Sequence, residues 1–273
     1  MSTEGTFYHA TQASASLASE EPSVSAFVPP ADDLFYEPGN DHGLPRDPFK
    51  SCVVPRPIGW ISTLSAGGVA NLAPFSQFQN LTFDPPHILI ISGPKLNGDR
   101  KDTVENAERT GEFVWNMATY DLREAVNISA QEVDADVDEF ELAGLTKVPS
   151  RLVKPYRVAE SPIQFECEYT QTVRLALGGA RRAVDMLIGR VVGVHISKDA
   201  IRHDGLIDVL KIRPLARLGY YDYTSVESTF SMIIPNSEST RKAGLLAGLE
   251  GSMSRFHAER AAAAAAAADA QEG

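Results

Sequence analysis

The chain has 273 residues, of which 43% are hydrophobic, and its formal net charge is −11. This length allows one large domain or two small ones, and the apolar fraction is sufficient for a sizeable core. The negative charge argues against binding to nucleic acid. No apolar run approaches the roughly 20 residues needed to cross a bilayer, so we expect neither a nucleic-acid partner nor a membrane.

The two ends of the chain differ in composition from its middle. Residues 1–32 contain few large apolar groups and are predicted to be a disordered segment without a secretory signal. Residues 33–235 are predicted to form one domain with an irregular N-terminal arm, and residues 236–273 an alanine-rich tail. The two cysteines, Cys52 and Cys167, fit a reducing compartment, which predicts a cytoplasmic location.

The first predicted elements form a hairpin. Gly59–Leu64 and Val69–Phe78 read as its strands, and the Ser65–Gly68 stretch between them has the composition of a turn. His87–Ser92 is a nearly continuous apolar run, which predicts a buried strand.

Two short helices are expected next, on either side of a strand. Asp102–Thr110 is predicted to be a helix that Asp102 caps, with Glu105 as the partner in a capping box. Gly111 ends that helix, and the apolar run after it predicts a strand up to Met117. Residues 122–129 read as the second helix.

The second half of the chain contains mainly strand patterns. Asp134–Glu141 is predicted to be a solvated acidic loop. Residues 163–169 alternate apolar and polar, and residues 184–196 read as a strand bent at Gly189 and Gly193. Residues 215–223 read as the last strand or its exit. Short strands with few helices predict a mainly β protein, an antiparallel β-barrel with small helices filling gaps.

The common catalytic and metal-binding motifs are absent from this sequence. There is no GxGxxG, Walker, HExxH or GxSxG motif, and the six histidines lack metal-ligand spacing, so no metal site is expected and the catalytic residues are unknown. The hairpin hydroxyls and Lys101 at a helix start instead suit a flat ligand with a phosphate, such as FMN. Strand hydroxyls and a simple helix cap are the structural alternative.

Several motifs occur in a fixed order along the chain. They are Arg56–Thr63, Asn71–Ser76, Asp84–Pro86, Lys101–Thr103, Gly111–Asn116, Asp138–Leu145 and Arg157–Pro162. In this order they resemble the flavin reductase-like family with the FMN-binding split barrel, over roughly residues 40–225. The resemblance implies a six-stranded antiparallel split barrel, usually a homodimer with FMN near the subunit interface.

The same resemblance implies a function and a set of flavin-binding residues. Those residues are Arg56, Trp60, Ser62, Thr63, Asn71, Ala73, Pro74, Ser76, Lys101, Thr103 and His195. His195 could equally be an ordinary strand histidine. The implied function is an NAD(P)H-dependent flavin reductase that passes electrons to an acceptor. The sequence leaves the acceptor open among free flavin, a partner monooxygenase, iron and a quinone. A flavoredoxin-like carrier without NAD(P)H activity and a non-catalytic flavin-binding dimer are the alternatives.

Overall fold

The computed structural model describes residues 32–177 and 182–230. The predicted N-terminal segment up to residue 31 and the predicted tail from residue 236 lie outside the described residues. By its internal contacts the chain divides after Pro48. Residues 32–47 contain no helix or strand, as predicted for the arm, and the ring of Tyr36 packs against that of His42 at 5.2 Å.

The part of the chain after Pro48 is mainly β, which confirms the predicted fold class. The strands are β1 (Arg56–Pro57), β2 (Gly59–Leu64), β3 (Ala70–Phe75), β4 (Phe78–Phe83), β5 (Pro86–Ser92), β6 (Glu112–Asn116), β7 (Lys147–Val148), β8 (Arg157–Val158), β9 (Ile163–Leu177), β10 (Arg182–Ile196), β11 (Leu215–Gly219) and β12 (Asp222–Ser225). The main sheet has seven strands in the order β3-β2-β6-β9-β10-β5-β4, and every neighbouring pair is antiparallel. Strands β1, β11 and β12 form a three-stranded sheet, and β7 pairs with β8.

The main sheet curls because its two edge strands are consecutive in the chain. Strand β3 ends at Phe75 and strand β4 begins at Phe78, so only Ser76 and Gln77 connect opposite edges of the sheet. The edges must therefore meet at this end, which gives a barrel that is split along the rest of the seam. The resemblance implies six strands rather than seven, and Phe78–Phe83 accounts for part of the difference, because this segment continues past the predicted hairpin as a strand of its own.

Four short α-helices accompany the barrel in the described residues. They are α1 (Asp102–Thr110), α2 (Arg123–Ile128), α3 (Glu139–Leu142) and α4 (Val209–Ile212), with 3-10 turns at Pro48–Ser51, Tyr120–Leu122 and Lys198–Ala200. Helix α1 has its predicted bounds and ends at Gly111, whose φ of 77° is the left-handed conformation that glycine tolerates. The predicted cap is wrong, however, because Lys101 is the N-cap residue and Asp102 instead binds Lys95 at 2.7 Å.

Large apolar side chains fill the barrel and the space under its helices. Trp60, Phe113 and Phe140 are among the largest fully buried side chains. Gly189 lies where β10 shifts its register against β9, as predicted, and a Cβ atom there would overlap the Phe113 ring. The glycine therefore lets the bent strand pass close to the core.

Two other predictions need correction. The acidic stretch is not a fully solvated loop, because Glu139 begins helix α3 and its side chain is buried. The predicted last strand is a hairpin, in which β11 turns back into β12. Within residues 32–177 and 182–230, no helix is both long and apolar enough to cross a membrane.

Candidate functional site

A small cleft lies between strand β3, the start of helix α1 and the segment after helix α2. Its volume is about 60 Å³. The lining residues are Asn71, Ala73, Pro74, Phe75, Lys95, Lys101, Asp102, Thr103, Ser129, Ala130, Gln131, Glu132, Val133 and Glu139. Five of the residues predicted to bind flavin therefore share one cleft, although they come from two separate elements.

Asn71 is the centre of the hydrogen-bond network in this cleft. Its Oδ1 accepts from the hydroxyl of Thr103 at 2.7 Å and from that of Thr63 at 3.3 Å. Asn106 of helix α1 donates in turn to the Thr63 hydroxyl at 3.1 Å. The side chain of Asn71 thus ties β2 and β3 to the first two turns of α1, which fixes the position of the helix start.

Glu139 supports the network from below. Its carboxylate accepts from Asn71 Nδ2 and from the backbone N–H of Leu72, both at 2.9 Å. Because β3 is an edge strand, the outward N–H of Leu72 has no strand partner, and Glu139 satisfies it. Burial raises the pKa of the Glu139 carboxyl, and the charge of Asp102 adds to this, although the hydrogen bonds from Leu72 and Asn71 partly oppose the shift.

Charged groups on the helix side of the cleft are paired with one another. Lys95 Nζ lies 2.7 Å from Asp102, and Lys101 Nζ lies 2.9 Å from Glu132. Lys101 is also the N-cap residue of α1, at the end of the helix where the helix dipole favours an anion. Both ammonium groups of the cleft are therefore paired with carboxylates of the same chain.

Three other predicted residues lie inside the barrel wall beside the cleft. Trp60 is fully buried, and its Nε1 donates to the hydroxyl of Ser129, which lines the cleft. The hydroxyl of Ser62 donates to the carbonyl of Tyr156 at 2.5 Å. Thr63 is also buried and reaches the cleft only through Asn71. These residues shape the cleft from behind rather than face into it.

The remaining predicted residues lie outside the cleft of a single chain. The Arg56 guanidinium donates to the carbonyls of Lys50 and Val53, at 3.0 and 2.7 Å. Ser76 lies in the two-residue link after β3. His195 lies on β10, and its Nε2 contacts the buried carboxylate of Glu166. The structure thus gives Arg56 and His195 local structural partners.

Sequence reasoning missed three charged residues of the cleft. Lys95 and Glu132 lie in segments without a clear pattern, and Glu139 stands in an acidic run that predicts exposure. A buried carboxylate pairs with donors that are distant in sequence, here 68 and 67 positions away. No local signal marks such a residue, because only the folded chain brings the partners together.

A larger cavity of about 510 Å³ lies beside helix α2. Three tyrosines, Tyr120, Tyr221 and Tyr223, line it together with residues of α2 and β12. The Tyr120 ring is already occupied, because the guanidinium groups of Arg123 and Arg213 lie 4.2 and 4.4 Å from its centroid. None of the predicted flavin-binding residues lines this cavity, so the smaller cleft is the better candidate site despite its volume.

Comparisons with known proteins find similar sequences and similar folds. An uncharacterized protein of Halalkalibacterium halodurans is 40% identical over 190 residues, which cover 70% of this chain and 90% of that protein. The crystal structure of nitrilotriacetate monooxygenase component B from Bacillus cereus has a TM-score of 0.68 and 30% identity, and the match covers 74% of this chain and 99% of that one. A putative flavin reductase with a split barrel domain from Shewanella frigidimarina has a TM-score of 0.60 and 25% identity, with 68% and 89% covered.

The family model described as flavin reductase like domain matches residues 51–223. That range contains the curled sheet, helix α1 and the whole cleft. The chain therefore belongs to the flavin reductase like family.

Proposed function

We propose that this chain is an FMN-binding oxidoreductase that takes electrons from NAD(P)H and passes them to an acceptor. The cleft beside Lys101 carries the proposal. The cleft lies beside the edge strand β3 and brings together the ammonium of Lys101, the hydroxyl of Thr103 and backbone groups. The chain that carries it belongs to the flavin reductase like family. Such a donor set suits a ligand with a flat ring and an anionic end.

The residues present fit FMN in chemical type. The ammonium of Lys101 and the first turn of α1 would hold the phosphate. The half-buried residues Ala73 and Pro74 offer a flat apolar surface beside the hydroxyl of Thr103, which would suit the ring. A volume of about 60 Å³ is far below the roughly 300–1,000 Å³ of a complete ligand pocket, so a second subunit would have to cover the flavin.

Bound FMN would supply the redox chemistry, accepting a hydride and releasing electrons to the acceptor. The chain would bind and orient the flavin and exclude water from one of its faces. Asn71, Glu139 and Thr103 fix the wall against which the ring would lie. No side chain of the cleft is assigned a proton-transfer step, so no catalytic residue is named.

An absorbance spectrum followed by anaerobic stopped-flow mixing tests this function. We expect the purified protein to bind FMN, and NADH or NADPH to bleach the flavin band rapidly. A flavin band that dithionite bleaches but neither nicotinamide does would favour the electron carrier. A bound flavin that neither the nicotinamides nor dithionite reduces would favour the non-catalytic flavin-binding dimer. Failure to bind FMN would contradict the proposal.

The acceptor and the location are further parts of the proposal. One relative at 30% identity is a component of nitrilotriacetate monooxygenase, which supports a partner monooxygenase as one candidate acceptor. Free flavin, iron and a quinone are the other candidates. We place the protein in the cytoplasm from the sequence alone.

A homodimer is proposed from the outer face of the sheet. Leu89 and Ile91 of β5 lie on the face opposite the buried Ile88 and Ile90, and they are only half-buried. In register with Ile91 are Met186 of β10 and, next to it, Val173 of β9. This outer face, formed by Leu89, Ile91, Val173, Leu175, Val184, Met186 and Ile188, is apolar although it faces solvent in a single chain. Ile91 of this face and Lys95 of the cleft are only four positions apart in the chain. A second copy that binds this face would therefore also lie close to the flavin.

Replacing Met186 with lysine is expected to dissociate the dimer, because the ammonium would be buried without a partner in the interface. The control is Leu206→Lys, an equal change of charge at a residue that is 60% exposed on a separate loop. Sedimentation velocity at micromolar concentration should show dimers for the wild type and Leu206→Lys, and monomers for Met186→Lys. A wild-type monomer with FMN bound, or a Met186→Lys dimer, would refute the proposed face.

Replacing Lys101 with alanine is expected to weaken FMN binding by about tenfold and riboflavin binding much less. The reason is that a charge-assisted hydrogen bond contributes about 1.5–3 kcal/mol and that riboflavin lacks the phosphate. Fluorescence titration with the two flavins measures the difference. Equal losses for both ligands would remove Lys101 from the phosphate site.

A further inference from the structure

Glu132 lines the cleft and binds two groups that are suited to a phosphate, the ammonium of Lys101 in the cleft and the backbone N–H of Leu96, the residue after Lys95 of the cleft. Its Oε2 lies 2.9 Å from the ammonium of Lys101, and its Oε1 accepts from the backbone N–H of Leu96 at 3.0 Å. An ammonium and a backbone N–H are the usual donors to phosphate oxygens. A carboxylate of this chain therefore occupies the position that an anionic ligand would need.

The remaining charges of the cleft provide no spare cation. Lys95 is paired with Asp102, and Glu139 adds a third carboxylate at the floor. The lining residues thus carry two positive and three negative formal charges, a balance of −1. Both ammonium groups of the cleft are already paired with carboxylates, so a phosphate that binds Lys101 must take it from Glu132.

The contact between Glu132 and Lys101 is weak enough to exchange. Both side chains are about one third exposed, at 30% and 31%, and ion pairs of that exposure contribute little to stability. The hydrogen bond from Lys101, together with that from Leu96, lowers the pKa of the Glu132 carboxyl, so the group is ionised at neutral pH. A phosphate, with nearly twice the charge, can displace it but must work against its repulsion.

We infer that Glu132 is a built-in competitor for the ligand phosphate and sets the preference of the site between phosphorylated and unphosphorylated flavin. This inference rests on the proposed function and adds a specificity-determining residue to it. With Glu132 in place, the affinity for FMN exceeds the affinity for riboflavin by a smaller factor than an unpaired Lys101 would produce. Without its charge, the preference for FMN increases.

The variant Glu132→Gln tests the inference, because glutamine keeps the shape and can still accept from Leu96 but cannot neutralise Lys101. We expect the dissociation constant of FMN to fall about tenfold, and that of riboflavin to change by less than about twofold. The control is Glu124→Gln, which removes the same charge at a side chain that is 78% exposed and lies outside the cleft. An equal effect of the two variants on FMN, or an equal effect of Glu132→Gln on both flavins, would overturn the inference.

A second measurement separates this inference from the proposed function. Inorganic phosphate at 50 mM is added to the flavin-free protein, and the thermal midpoint is compared with that in chloride of equal ionic strength. We expect phosphate to raise the thermal midpoint of Glu132→Gln by about 2 °C and that of the wild type by less, because a bound anion stabilises the folded state. If neither protein binds any flavin, the proposed function fails and the phosphate shift alone decides the role of Glu132. Equal shifts in both proteins would refute it.

Discussion

Replacing Glu166 with leucine is expected to lower the free energy of unfolding by about 3–5 kcal/mol, the usual cost of removing one partner from a buried ionic interaction. The Glu166 side chain is fully buried on β9. Its carboxylate accepts from the backbone N–H groups of Arg151, Leu152 and Val153, at 2.8, 2.6 and 3.2 Å, and contacts Nε2 of His195. Leucine would leave these donors without an acceptor, among them the N–H of the buried Val153.

Equilibrium unfolding in urea measures this loss. The matched control is Glu168→Leu, two positions along the same strand, where the carboxylate is 52% exposed and pairs only with Arg190 at the surface. That change should cost less than about 1 kcal/mol. Similar losses at the two positions would show that Glu166 does not anchor the loop that precedes β8.

The same carboxylate predicts a dependence of stability on pH. Burial raises the pKa of Glu166, but the N–H donors of Arg151, Leu152 and Val153 together with His195 outweigh burial, so the net pKa lies below its usual value of 4.5. The unfolded chain then binds the proton more readily, and the contribution of Glu166 is complete above about pH 5 and is lost as the pH falls through the lowered pKa. Between about pH 5 and pH 3 the wild type should therefore lose more stability than Glu166→Gln. Glu139 acts in the opposite direction, since burial raises its pKa and its protonation in the folded chain favours folding as the pH falls.

Strands with a clear apolar pattern could be predicted from the sequence. The apolar runs at Pro86–Ser92 and Glu112–Asn116 are strands close to their predicted bounds, and β10 begins two residues before its predicted start. Strand β9 begins at Ile163 as predicted but continues to Leu177, eight residues beyond the predicted alternation. Strand β4 was missed because Gln79, Asn80 and Thr82 interrupt its apolar residues, and five of its six positions are exposed. Strands β7 and β8 have two residues each, which is too short for any periodicity.

The cleft could be predicted only in part, for a related reason. Asn71, Lys101 and Thr103 belong to local motifs, a hairpin strand and a helix start, so they could be predicted as members of one site. Glu132 and Glu139 act only through residues more than 30 positions away. The pairing of those charges depends on the fold, and the sequence gives no indication that a carboxylate already binds Lys101 at the proposed phosphate position.

Replacing Asn71 with alanine is expected to weaken flavin binding at least tenfold and to lower the free energy of unfolding by about 1–3 kcal/mol. The amide is the one group that joins the buried carboxylate of Glu139 to the hydroxyls of Thr63 and Thr103. With alanine at this position, the Glu139 carboxylate would keep the N–H of Leu72 as its donor outside helix α3. The hydroxyls of Thr63 and Thr103 would both lose the Asn71 oxygen as their acceptor. Helix α1 would then lose its fixed position against β3, and the phosphate and ring positions would no longer be aligned.

Titration with FMN and urea unfolding separate the two effects of Asn71→Ala. The matched control is Asn80→Ala on strand β4, where an exposed amide accepts from its neighbour Gln79 and lies outside the cleft. That variant should change neither quantity by more than about 0.5 kcal/mol, as is usual at the surface. The FMN titrations of both variants are run without urea, where both proteins are folded. A loss of affinity then reports on the cleft and not on the fraction of unfolded protein. If Asn71→Ala binds FMN as well as Asn80→Ala does, then the network around Asn71 serves the fold alone, and the flavin must be sought elsewhere, first in the tyrosine-lined cavity beside helix α2.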